Sequence, residues 1–100
     1  MASETSDETQ SPPAAADAVL RQLREQVSDN DRAIVDLVNR RLALVARIKR
    51  RKDELGLPFL DPQREQLMLR DLERANRGPL SRDGLAALQA ALLALTKREV

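Results

Sequence analysis

Along the first half of the chain, apolar residues recur at alternating spacings of three and four: Leu20, Leu23, Val27, Ile34, Leu37, Leu44 and Ile48, with Asn30 and Arg41 filling two slots of the same series. That period is the seam of a coiled coil carrying two polar members. The stretch from Ala14 to Leu55 contains no glycine or proline and is dense in good helix formers. A helix from about Asp17 to Leu55 would be roughly 58 Å long at 1.5 Å per residue. Helices of compact small domains are usually far shorter. Two short helices cannot cover so long a stripe, so the pattern predicts a partner, most simply a second copy of the same helix.

Gly56 and Pro58 end this helix. Asp61 then reads as an N-cap with Pro62 at the first helical position. A second helix is expected from Pro62 to about Ala75, with Leu69, Leu72 and Ala75 on one face. Asn76, Gly78 and Pro79 break it. Ser81 caps a third helix running to about Arg98, with Leu85, Leu88, Leu92 and Leu95 inward. No β pattern is present. The segment from Met1 to about Pro13 is rich in Ser, Thr, Glu and Pro and reads as a disordered tail. The expected architecture is therefore all-α: one long helix and two shorter ones in a single domain over residues 14–100, intertwined with an antiparallel copy as a homodimer.

Composition narrows the chemistry. The chain has neither cysteine nor histidine. Disulfides, thiolate metal sites, the commonest general base and the Ser/His/Asp arrangement are all excluded. Phe59 is the sole aromatic residue, so base stacking on nucleic acid has almost nothing to work with. Lys plus Arg total 17 and Asp plus Glu total 16. Near-balance gives no bulk attraction for a polyanion, and the basic run Lys49 to Lys52 is followed by Asp53 and Glu54. Nucleic-acid binding is not expected. No apolar run is long enough to span a membrane and no signal peptide is visible, which predicts a cytoplasmic protein.

Recognition of an anion must therefore come from placed cations. Arg41 interrupts an apolar seam, where a charge is costly unless paired or bound to something anionic. Lys52 follows eleven residues later, about three turns on, and so lies on nearly the same face. Arg64 and Glu65 open the second helix beside the stripe that packs on the first. Arg24 lies 17 residues before Arg41, roughly 25 Å away along one helix. One small ligand cannot touch both in one chain. An antiparallel partner crossing near Asp31 to Ile34 would bring the other subunit's Arg24 to Arg41 and Lys52. Each residue also has an ordinary explanation. Arg24 suits a solvated surface, Arg41 a register device, and Lys52 a helix C-terminus. Asp61 suits a cap, and Arg64 and Glu65 suit surface pairs.

The run "LRQLREQVSDNDRAIVDLVNRRLALVARIKRRK" followed by "LDPQRE" resembles the all-helical chorismate mutase family. The family pattern is an early L-R, a later R-R pair, a lysine eleven residues after the binding arginine, then D-x-x-R-E. The segment "DPQREQLML" with a later "GP" is similar to mutase domains fused to aromatic-pathway synthases. The resemblance implies that Arg41, with Arg24 donated across subunits, holds the substrate carboxylates. It implies that Lys52 contacts a carboxylate and the ether oxygen. Asp61 and Glu65 would engage the ring hydroxyl, Arg64 would support the pocket and a carboxylate, and Thr96 would hydrogen-bond substrate. The family usually has Gln or Glu four residues after that hydroxyl, to bind the ether oxygen with the lysine. Val100 stands there in this chain, and the adjacent Glu99 is expected to take the role.

The implied activity is the rearrangement of chorismate to prephenate for phenylalanine and tyrosine biosynthesis. That reaction has no proton transfer and no covalent intermediate, so lack of His and Cys costs it nothing and no cofactor is implied. Positioning of a flexible dianion and fixed positive charge at the breaking C–O bond are what it requires. Two alternatives stay open: an isochorismate-pyruvate lyase on a similar scaffold, and a non-catalytic regulatory helical module of a pathway synthase. Such a synthase is also the expected protein partner.

Overall fold

The computed structural model describes residues 14–100, with side chains from Asp17 onward. The expected N-terminal tail lies outside the described residues. Three helices follow in order: α1, Ala14–Leu55; α2, Pro62–Ala75; and α3, Arg82–Glu99. Among the described residues there is no strand.

Each boundary has a local cause. At the end of α1, Gly56 takes φ +69°, a left-handed conformation that only glycine adopts at little cost. The Gly56 N–H then bonds to the Asp53 carbonyl (3.2 Å) and the Leu57 N–H to the Lys52 carbonyl (2.8 Å). This Schellman arrangement satisfies two carbonyls that a helix end otherwise leaves without partners. At α2 the Asp61 carboxylate accepts from the Arg64 N–H (3.1 Å), with Pro62 just inside the first turn. At α3 the Ser81 hydroxyl accepts from the Gly84 N–H (3.0 Å). Between α2 and α3, the Asn76 side chain accepts from the Gly78 N–H (3.0 Å) and donates to the Leu80 carbonyl (2.8 Å), closing the connection with one residue.

The chain divides into two compact units, Met1–Leu37 and Val38–Val100. In the first, every residue from Ala18 to Leu37 is exposed, including Leu20, Leu23, Val27, Ile34 and Leu37 of the seam. The ion pairs Arg21–Asp17 (2.7 Å) and Arg32–Asp29 (2.9 Å) join neighbours on one helix face. Exposed pairs of this kind stabilise little, about 0.3–0.5 kcal/mol each.

The second unit packs on itself. Val38, Arg41, Leu42, Val45, Ala46, Lys49 and Lys52 form a half-buried stripe on the last turns of α1. Helices α2 and α3 pack on one another. Among the described residues the buried ones are Leu85, Gln89 and Thr96, all on α3. Two expectations need correction. Leu88, expected inward, is exposed at 48%; the inward face of α3 runs through Leu85, Gln89, Leu92, Leu93 and Thr96, a period nearer 3.6 than the leucine spacing alone. Ala75 is likewise exposed, and the inward face of α2 is Glu65, Leu69 and Leu72. Among the described residues no helix is long and apolar enough to cross a membrane.

Candidate active site

A cleft of about 470 Å³ opens within the second unit. Leu44, Val45 and Ile48 of α1, Met68 and Leu72 of α2, and Leu92 and Leu93 of α3 supply its apolar walls. Its polar lining is Arg41 and Lys52 from α1, Asp61, Arg64 and Glu65 from the start of α2, and Gln89, Thr96 and Lys97 from α3. Apolar walls carrying a few convergent polar groups are the usual form of a small-molecule site. The α1 seam residues Leu44 and Ile48, half exposed in this chain, are part of that wall.

Arg41 reaches α3, donating from Nη1 to the Thr96 hydroxyl (2.5 Å), with the Leu92 carbonyl at 3.5 Å. Thr96 in turn donates its hydroxyl hydrogen to the Leu92 carbonyl (2.9 Å). A hydroxyl has one hydrogen and two lone pairs. In this arrangement Thr96 serves the site through Arg41 and has only a lone pair left for a ligand.

Lys52 sits at the last turn of α1 and donates from Nζ to the Phe59 carbonyl (3.1 Å). The ammonium has three hydrogens, so this bond anchors the group without exhausting it. One turn earlier, Lys49 lies over the Phe59 ring (5.7 Å to the centroid) and donates to the Val100 carbonyl (3.1 Å). The two lysines thereby both engage the loop between α1 and α2 at Phe59, one at its ring and one at its carbonyl. Asp61 uses one carboxylate oxygen for the cap of α2; the other makes no hydrogen bond among the described residues.

Of the residues expected from sequence, the cleft gathers Arg41, Lys52, Asp61, Arg64, Glu65 and Thr96. Two fall outside its lining. Arg24 belongs to the first unit and is exposed. Glu99 is exposed on the last turn of α3, with Arg98 Nε at 3.5 Å from its carboxylate. Two residues with evident structural roles at the site escaped the pattern, Lys49 and Gln89. Gln89 is the sole polar residue between Asp83 and Thr96, in a run otherwise made of Gly, Ala and Leu, and that isolation was the available signal.

Comparison with known proteins bears on the family and the fold. Residues 23–99 match the family model for chorismate mutase type II. A 52-residue stretch is 44% identical to the T-protein of Enterobacter agglomerans, covering 52% of this chain but only 14% of that protein's length. The solved chorismate mutase (form I) of Thermus thermophilus superimposes with a TM-score of 0.75 at 35% identity, over 77% of this chain and 96% of that one. With three helices, a cation-bearing cleft and more than two thirds of its length within the family model, the chain belongs to the chorismate mutase type II family, an all-helical family of isomerases.

Proposed function

We propose that this chorismate mutase converts chorismate to prephenate in the cytoplasm, for the synthesis of phenylalanine and tyrosine, in two equivalent sites of an antiparallel homodimer. The carrying observation is the convergence of Arg41, Lys52 and Arg64 with Asp61 and Glu65 on one apolar-walled cleft. In the rearrangement the ether C–O bond breaks as a C–C bond forms at the other end of the same cyclic array. No proton moves. The catalyst's tasks are to hold the folded dianion and to oppose charge growing on the departing oxygen. Arg41, fixed through Thr96, takes a carboxylate, and Arg64 supports a carboxylate from the cleft rim. Lys52, anchored on Phe59, contacts a carboxylate and faces the ether oxygen. Asp61 and Glu65 accept from the ring hydroxyl. Glu99 joins Lys52 at the ether oxygen once the last turn of α3 closes on substrate; only its protonated form donates there.

Exposure of the α1 seam supports the dimer. Leu20, Leu23, Val27, Ile34 and Leu37 are each 40–60% exposed, and among the described residues Leu85 is the only buried apolar one. A contiguous apolar stripe of this length needs a cover, and its three-and-four spacing suits a second copy of the same helix. Running antiparallel, that copy supplies its Arg24 to the cleft. The similarity of "DPQREQLML" to synthase-fused mutases supports a pathway synthase as partner.

Chorismate loss at its ultraviolet band, followed with pure protein, tests the assignment. Arg41→Ala and Lys52→Ala are each expected to lower kcat/KM by about 10²–10³-fold while remaining folded dimers. Wild-type turnover in either variant contradicts the reading.

A further inference from the structure

Gln89 is 8% exposed, sits between apolar residues of α3 and lines the cleft. Its Nε2 donates to the backbone carbonyl of Glu65 at 3.0 Å. Glu65 lies in the opening turn of α2, whose N–H bonds back to the Asp61 carbonyl (3.1 Å) while the Asp61 side chain caps Arg64. The turn that presents Asp61, Arg64 and Glu65 to the cleft is thus tied to α3 by a single side-chain amide.

An amide buried for packing alone is a poor choice, since leucine would fill the space without a desolvation cost. The Glu65 carbonyl does not need Gln89 either, because within α2 it already accepts the regular helical bond from four residues on. The bond's effect is geometric. It fixes how the first turn of α2 is rotated and how far it stands from α3, where Thr96 holds Arg41. We propose that Gln89 is a positioning residue: its amide holds the opening turn of α2 so that Asp61, Arg64 and Glu65 face the substrate that Arg41 and Lys52 bind. The role rests on the isomerase reading above, though its structural half can be measured without turnover.

Gln89→Leu and Gln89→Glu, each in the full chain, provide the test. Leucine keeps the volume and leaves no polar group without a partner, so the fold is expected to persist. Amide hydrogen exchange over residues 62–69 is expected to speed by about tenfold in Gln89→Leu, against unchanged exchange in the middle of α3. The variant's kcat/KM for chorismate is expected to fall by a similar factor, about tenfold, for the loss of one orienting hydrogen bond. Gln89→Glu is expected to behave like Gln89→Leu at neutral pH and to recover both readouts as the pH is lowered, because only the protonated carboxyl donates to the Glu65 carbonyl. Simple charge repulsion of the substrate would impair Gln89→Glu but spare Gln89→Leu. Wild-type exchange at 62–69 in Gln89→Leu overturns the positioning role whatever the activity, as do wild-type kinetics in that variant. A wild-type protein without chorismate turnover would instead sink the isomerase reading, and the exchange result would still decide the Gln89–Glu65 tether.

Discussion

The first unit and the second use similar residues in opposite ways. From Ala18 to Leu37 the chain carries leucine, valine and isoleucine at a regular helical period and buries none of them. From Val38 onward, comparable residues are in part half-buried and, together with residues of α2 and α3, line a cleft. Helix propensity does not account for the difference, because α1 is one continuous helix through both. What differs is the availability of intrachain partners. An amphipathic helix draws most of its stability from packing its apolar face, and among the described residues of the first unit the apolar ones from Ala18 to Leu37 are all exposed. In the proposed dimer this stripe is the surface that meets the second copy, and Arg24, one residue on from Leu23, lies beside it.

The sharpest way to break this contrast is to charge the exposed stripe. Ile34→Glu, half exposed in the chain and near the expected crossing point, is expected to leave a monomer in sedimentation and to lower kcat/KM by more than about 10²-fold, since both sites lose a donated cation and a wall. The equivalent charge on the opposite face of the same helix, Asn39→Glu at an exposed position, is expected to leave a dimer. An active monomer from Ile34→Glu would detach the first unit from catalysis altogether.

Mixing variants sharpens the comparison further. Arg24→Ala and Arg41→Ala each damage both sites of a homodimer. In a mixed dimer one site receives both wild-type arginines and the other receives neither. Random re-association of the two inactive proteins is expected to restore about one quarter of wild-type activity, half of the dimers being mixed and each carrying one intact site. No recovery on mixing, with exchange of subunits verified, would mean that Arg24 acts within its own chain or not at all.

A smaller effect concerns the end of α3. Thr96→Val removes the acceptor for Arg41 while keeping the shape, and kcat/KM is expected to fall by about tenfold for one lost orienting bond. Glu99 lies outside the cleft lining and beside Arg98. If the last turn closes on substrate, Glu99→Ala is expected to lower kcat by about tenfold and Glu99→Gln to retain or raise it at neutral pH, since an amide donates to the ether oxygen without a charge to neutralise. Wild-type kinetics in both would remove Glu99 from the reaction.

Much of this was legible in the sequence, for identifiable reasons. Caps at Asp61 and Ser81 and the stop at Gly56 are local events, set by side chains within a few residues of the backbone groups they satisfy. The α1 stripe was legible because its period persists over many turns. The face of α3 was not, because leucine and alanine fill it almost all round, and Leu88 and Gln89 exchange places according to a packing partner that no local pattern names. The second α1 stripe, Val38 through Lys52, hides for a related reason: it shares Arg41 with the seam and contains both lysines that grip Phe59. The cations were found by their spacing to one another. Their supports were not: Thr96 meets Arg41 from 55 residues away, and Phe59 reaches Lys52 only through the turn of the loop after α1, so both needed the fold.

The smallest effect tests how the second unit fixes Lys52. Gly56 has φ +69° and no atom within 4 Å of the position a Cβ would occupy. Gly56→Ala therefore adds backbone strain without a clash, about 1–2 kcal/mol for an L-residue in the left-handed region. At equal protein concentration the thermal midpoint is expected to drop by several degrees, about 4–8 °C per kcal/mol for a domain of this size. The Leu57-to-Lys52 and Gly56-to-Asp53 bonds persist as long as the turn keeps its hand, so kcat/KM well below the midpoint is expected to change by less than about twofold. A large loss of activity with little loss of stability would mean that the alanine let α1 run on past Leu55, carrying the Phe59 carbonyl away from the Lys52 ammonium. The site would then depend on where that helix stops as much as on which residues it bears.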